Sequence, residues 1–212
     1  MKMDAVKIDG GFAEVGAGSW LMGRGQPTAF FGSAVRRRRR GLFVRDRSSL
    51  DLVETTAAAK CADARRPFLT HIPCAAPVSA ASGKVLVAPA SAWAGAQAVR
   101  TIPMSARGSL CVTMFGGGWV VMATAGRTAR IQVPDGDTLS ARPEAVVAWT
   151  GNRPTGFCPK LGILDMLLPR GPKDLLLHFH GPCLIWVEGA MPQLSTFQLS
   201  TFNSASRRAY GA

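Results

Sequence analysis

Two passages of this chain echo each other, Gly116-Gly117-Gly118-Trp119-Val120-Val121-Met122 and Gly181-Pro182-Cys183-Leu184-Ile185-Trp186-Val187, and each runs from a glycine turn straight into a short apolar strand. Glycine supplies turn backbone angles that other residues adopt only under strain, and the branched and aromatic residues that follow suit a pleated sheet. The stretch from Gly108 to Glu188 is built throughout in this manner, short apolar runs broken by glycine, which argues for a β domain of repeated turn-and-strand units. With 47% hydrophobic and only 18% charged residues, a globular core is expected, and 23 glycines and 14 prolines without a collagen period suit many short strands better than long helices.

Along the chain, residues 1–34 give two or three weak strands, and Leu42-Phe43-Val44 and Leu50-Asp51-Leu52-Val53 are short strand candidates. The alanines and lysine within Thr55–Arg66 make it the best short helix candidate, with a strand as the alternative because Thr55 and Thr56 are β-branched. Lys84–Ala88 reads as a strand, and Ala98–Ile102 supplies another. Leu110–Met114 and Trp119–Ala123 read as two strands joined by a tight turn at the triple glycine, either a hairpin or one bulged strand. Thr128–Val133 alternates, Pro134-Asp135-Gly136-Asp137 is a turn, and strands follow at Thr138–Ser140, Ala145–Trp149, Leu175–His180 and Leu184–Val187. Leu161–Leu168 reads as a short helix or a further strand.

The formal charge of +12 is densest at the unbroken run Arg36, Arg37, Arg38, Arg39 and Arg40, with Arg45 and Arg47 close behind and Arg65-Arg66 and Arg207-Arg208 further on. Such a run cannot be buried, so in a strand it belongs at a sheet edge and otherwise in a loop. The plain reading is a solvated segment; the sharper one is contact with an anionic surface or nucleic acid, where arginines gain by releasing counterions from phosphate. No aromatic-rich strand or zinc-knuckle spacing accompanies the run. Asp4, Asp9 and Glu14 interrupt the N-terminal stretch, and no apolar window of about eighteen residues is free of proline and charge, so neither a leader nor a transmembrane segment is expected. Five cysteines without C-x-x-C spacing are the usage of a reducing compartment, and the cytoplasm is the expected location.

Residues able to carry chemistry are few. His178 and His180 stand two apart on an expected strand, so they share a face, as the H-x-H of a cupin metal site does. That pattern wants a carboxylate three or four residues on, whereas the nearest downstream is Glu188. Partly exposed histidines on a sheet face are the plain reading. No phosphate loop, dinucleotide fingerprint or nucleophile elbow is present, and neither a catalytic residue nor a cofactor is assigned. Asp135 and Asp137 read as turn formers. Trp20, Trp93, Trp119, Trp149 and Trp186 read as core or interface anchors.

Four passages, Gly83-Lys84-Val85-Leu86-Val87-Ala88-Pro89, Gly116-Gly117-Gly118-Trp119-Val120-Val121, Asp137-Thr138-Leu139 with Ala145-Val146-Val147-Ala148-Trp149-Thr150, and Phe179-His180-Gly181-Pro182, together resemble the signatures of the family called altered inheritance of mitochondria, member twenty-four, in its bacterial form. The resemblance covers roughly residues 80–190. It implies a TRAP-like architecture of stacked antiparallel sheets that often assembles into homo-oligomers, and no catalysis. The eukaryotic relatives are tied to organisation of the mitochondrial inner membrane.

The expectation is therefore a mostly β, β-sandwich-like fold of stacked antiparallel sheets with few or no helices, over residues 1–190. A low-complexity tail follows over 191–212, where Gln193-Leu194-Ser195-Thr196-Phe197 is duplicated as Gln198-Leu199-Ser200-Thr201-Phe202. The expected function is a non-enzymatic, oligomeric scaffold or interaction protein. The alternatives are an anion-binding module using the arginine run, with an anionic surface or a protein as partner, and a metal-dependent, cupin-like β-barrel enzyme using His178 and His180.

Overall fold

The computed structural model describes residues 6–23, 28–32, 34–37, 50–99, 110–157 and 176–189. Nineteen strands account for nearly all of their regular structure, and the helical turns among them are three residues long. After β1 (Lys7–Asp9), the remaining eighteen fall into three repeats of six. The first holds β2 (Phe12–Val15), β3 (Gly18–Gly23), β4 (Thr28–Phe31), β5 (Ala34–Arg37), β6 (Leu50–Thr55) and β7 (Ala59–Asp63). The second holds β8 (Phe68–Pro73), β9 (Val78–Ala81), β10 (Val85–Pro89), β11 (Trp93–Val99), β12 (Leu110–Phe115) and β13 (Trp119–Thr124). The third holds β14 (Thr128–Val133), β15 (Thr138–Ala141), β16 (Val146–Thr150), β17 (Thr155–Phe157), β18 (Leu176–His180) and β19 (Cys183–Glu188).

Pairing follows one rule in all three repeats. The sixth strand lies between the first and third, and the fifth lies between the second and fourth, every pair antiparallel. The second strand of each of the first two repeats then pairs with the third strand of the next, β3 with β10 and β9 with β16. Four sheets result: sheet I (β1-β2-β7-β4), sheet II (β5-β6-β3-β10-β13-β8), sheet III (β11-β12-β9-β16-β19-β14) and sheet IV (β15-β18-β17). The echo between Gly116–Met122 and Gly181–Val187 is thus the sixth strand of the second and third repeats. The first repeat has Thr56-Ala57-Ala58 in place of the glycines, which hides it from the sequence.

Three apolar cores lie between these sheets. Ala13, Val15 and Cys61 of sheet I pack on Trp20, Val53 and Trp119 of sheet II; Leu21, Ile72 and Val120 of sheet II pack with Phe115, Val147 and Trp186 of sheet III; Trp149 and Ile185 of sheet III pack on Leu177 and Phe179 of sheet IV. Sheet II is covered on both faces, which explains why Trp119–Thr124 is an unbroken buried run: Val120 and Met122 face one core, while Trp119, Val121 and Ala123 face the other. A fully buried side chain the size of Val121 or Met122 contributes about 1.5–3 kcal/mol relative to exposure. Of the five tryptophans, Trp20, Trp119, Trp149 and Trp186 are buried and Trp93 is half-buried, with the Trp20 and Trp119 rings 5.8 Å apart.

Two local expectations are corrected. Thr55–Arg66 is not a helix: after a turn it forms β7, with Ala59 and Cys61 buried and Lys60 exposed. Pairing with β2 and β4 and burial of Cys61 override the helix propensity of the alanines and lysine. The triple glycine makes neither a hairpin nor a bulged strand, because β12 belongs to sheet III and β13 to sheet II. Gly117 (φ 82°) and Gly118 (φ 72°) carry the chain from one sheet to the other. Lys84 lies in a helical turn just ahead of β10, and β11 begins at Trp93, earlier than the sequence suggests. The candidates at Leu42–Val44 and Leu161–Leu168, and the duplicated tail, lie outside the described residues.

Candidate functional site

The link between the first two strands of each repeat rests against the turn between its last two. In the first repeat the Thr55 hydroxyl accepts from Trp20 Nε1 at 2.9 Å and donates to the Gly16 carbonyl at 2.7 Å. The second repeat uses backbone alone: Gly117 N–H donates to the Cys74 carbonyl at 3.0 Å, and Cys74 N–H donates to the Gly118 carbonyl at 2.9 Å. In the third, Gly181 N–H donates to the Asp137 carbonyl at 3.0 Å, while Asp137 N–H donates to the Pro134 carbonyl at 3.2 Å. Asp137 works through its backbone, in the turn that the sequence assigns to it.

The histidine pair lies on β18, the middle strand of sheet IV. Leu177 and Phe179 point into the core, so His178 and His180 share the outer face with Thr138, Ser140 and Thr155, their register neighbours on β15 and β17. His180 Nδ1 is 3.0 Å from Thr138 Oγ1, and His178 Nδ1 is 3.4 Å from Ser140 Oγ. The two imidazoles are on one face, as their spacing requires. Glu188, the nearest downstream carboxylate, ends β19 in sheet III and is engaged elsewhere. Among the described residues, no group of three His, Cys, Asp or Glu side chains is placed to hold a metal ion. The third histidine, His71 on β8, stands 6.0 Å from the Trp119 ring, where burial lowers its pKa.

Glu188 and Lys84 form a densely bonded polar cluster that nothing local in the sequence signals. Lys84 Nζ donates to Glu188 Oε2 at 2.6 Å and to the Glu144 carbonyl at 2.5 Å; Glu188 Oε1 accepts from the Ala125 and Gly126 amides at 2.6 and 2.9 Å. Burial raises the Glu188 carboxyl pKa, but the Lys84 hydrogen bond, the two amides and the Lys84 charge outweigh it and hold the group below its usual range. The cluster ties the turn ahead of β10 and the β13–β14 link to the end of β19, so it acts as a clasp between the second and third repeats.

Arg36 and Arg37 lie on β5, the edge strand of sheet II, opposite Val53 and Leu52. Arg38, Arg39 and Arg40 lie outside the described residues, as does Cys158. Cys61 and Cys74 are buried free thiols, with pKa values pushed by burial up to about 12 and about 11; burial also raises that of Cys183. Thiols protonated to this degree are poor nucleophiles at neutral pH. Among the described residues no helix is long and apolar enough to cross a membrane.

No family model matches the chain, and no curated protein matches its sequence. The fold has a solved counterpart in protein SPYM3_0169 from Streptococcus pyogenes, whose crystal structure superposes with a TM-score of 0.64 at 14% sequence identity, covering 88% of this chain and 93% of that one. At that identity the likeness speaks to the fold alone.

Proposed function

We propose that the chain is a non-enzymatic scaffold protein that assembles with copies of itself, acts in the cytoplasm, and belongs with the bacterial form of the altered inheritance of mitochondria family that its sequence resembles. The observation that carries this reading is the use to which the polar groups are put. Thr55, Lys84 and Glu188 are engaged in joining one part of the repeat array to another, and Cys61 and Cys74 are held as inert thiols. Polar groups committed to internal joints, within the first repeat and between the second and third, leave surfaces and sheet edges to meet partners. Light scattering across a range of concentrations tests the reading: a defined multimer is expected, and a strict monomer throughout would overturn it.

A second reading, contact with an anionic surface or nucleic acid through Arg36–Arg40, is favoured by the position of Arg36 and Arg37 on an edge strand. Its test is retention on heparin at rising salt, which should fall when all five arginines become serine. Unchanged retention sinks it.

A further inference from the structure

The pairing of strands inside the chain points to the way one copy meets another. In sheets II and III a second-position strand joins a third-position strand at the middle of the sheet, while first-position and fourth-position strands form the edges. The series breaks off at both ends. β4, a third-position strand, closes one side of sheet I and pairs, among the described residues, with β7 alone. β15, a second-position strand, closes one side of sheet IV and pairs, among the described residues, with β18 alone. Each therefore presents a row of backbone donors and acceptors, and each is of the kind that the chain twice joins to the other. Sheets I and IV are separate, so the two edges of one chain do not satisfy each other. β4 also carries Phe31, which at 61% exposure is the most exposed large hydrophobic among the described residues.

We propose that β15 of one copy pairs antiparallel with β4 of a second copy, fusing sheet IV and sheet I into one continuous sheet that repeats the internal β3–β10 and β9–β16 junctions between molecules. The proposal rests on the self-assembling scaffold reading and specifies its contact. Because the two edges differ, the contact is heterologous: every copy offers one edge and receives the other, so the assembly closes into a ring or extends as a fibre according to the rotation per copy. The outer face of sheet IV carries Thr138, Ser140, His178 and His180, so the contact is mainly a backbone ladder, with Phe31, whose ring stands 5.8 Å from that of Phe12, at its side.

Two edge variants test this, Ala29→Pro in β4 and Ser140→Pro in β15, since proline removes a ladder donor and is poorly accepted inside a sheet. Light scattering and native mass spectrometry of the full chain are expected to give a multimer for the unaltered protein and a monomer for each variant alone. An equimolar mixture of the two should form a dimer, because each variant retains the edge that the other has lost. If both variants fold, as judged by circular dichroism, and remain multimeric, the edge contact is overturned and the scaffold reading stands. If the mixture stays monomeric, the edge contact is likewise overturned. A strict monomer for the unaltered chain overturns both. Hydrogen exchange on the unaltered chain decides the matter should a variant fail to fold. Amides of residues 28–31 and 138–141 should slow at least about tenfold on going from dilute to concentrated protein, and slowing confined to other strands rejects the contact.

Discussion

The Glu188 carboxylate sits 2.6 Å from the Lys84 ammonium, although 104 residues separate them, and the two side chains are only 17% and 12% exposed. An ion pair this shielded from water, with both carboxylate oxygens satisfied, is costly to break from one side because the remaining charge is left in a partly desolvated site.

Lys84→Met is expected to lower the unfolding free energy by about 2 kcal/mol, the scale for losing a charge-assisted hydrogen bond, as a drop in the denaturant midpoint. The pH dependence follows from the lowered Glu188 pKa. A carboxyl depressed in the folded state contributes stability that is complete above its unfolded value of about 4.3. That contribution is lost as pH falls through the lower folded value. The unaltered protein should therefore lose more melting temperature on acidification through this range than Glu188→Gln does, and parallel curves would refute the assignment.

Gly181→Ala should destabilise the protein by about 3 kcal/mol or more, because an added Cβ would fall on the Pro134 carbonyl. Gly83→Ala is the control: nothing stands near its added Cβ, and its melting temperature should stay within about a degree or two of the parent. Equal effects of the two changes would mean that the third-repeat turn does not pack as described.

Thr55→Val removes a hydroxyl that bonds both Trp20 and Gly16 while nearly preserving shape. A loss of about 1–3 kcal/mol is expected, the range for leaving a buried donor without its partner. Urea unfolding followed through tryptophan fluorescence measures it, and an unchanged slope with a lower midpoint identifies a stability effect rather than a change of compactness.

Cys61 and Cys74 should resist alkylation in the native protein at pH 8, since both thiols lie well above that pH in pKa and are buried. Mass-mapped iodoacetamide labelling should modify them only after unfolding. Rapid native modification at either position would show that the first or second core opens readily.

Much of the fold is legible in the chain because strands and turns are written locally. Thr128–Val133 alternates, Asp135-Gly136 turns, and Val146–Trp149 is a buried apolar run, all in the places where the structure has them. The arginine run was restricted to an edge or a loop by the cost of burying charge, and Arg36 and Arg37 do lie on an edge strand. β7 is hard to read because Ala59, Cys61 and Ala62 are small and Asp63 is buried beside them, so its burial leaves little trace in hydropathy. The Lys84–Glu188 clasp was invisible for a different reason: neither residue carries a motif, and only the folding of the second repeat onto the third brings them together.

By itself the sequence determined that this is a β protein and where most turns of its second half fall. Only the tertiary structure decided that there are three repeats rather than an echo of two, that the triple glycine passes between sheets, and that β4 and β15 are left at open edges. The physical reason is that backbone hydrogen bonds are blind to side-chain identity. Alternation and turn chemistry say that a segment is a strand, but which strand it joins is settled by the packing of three cores at once.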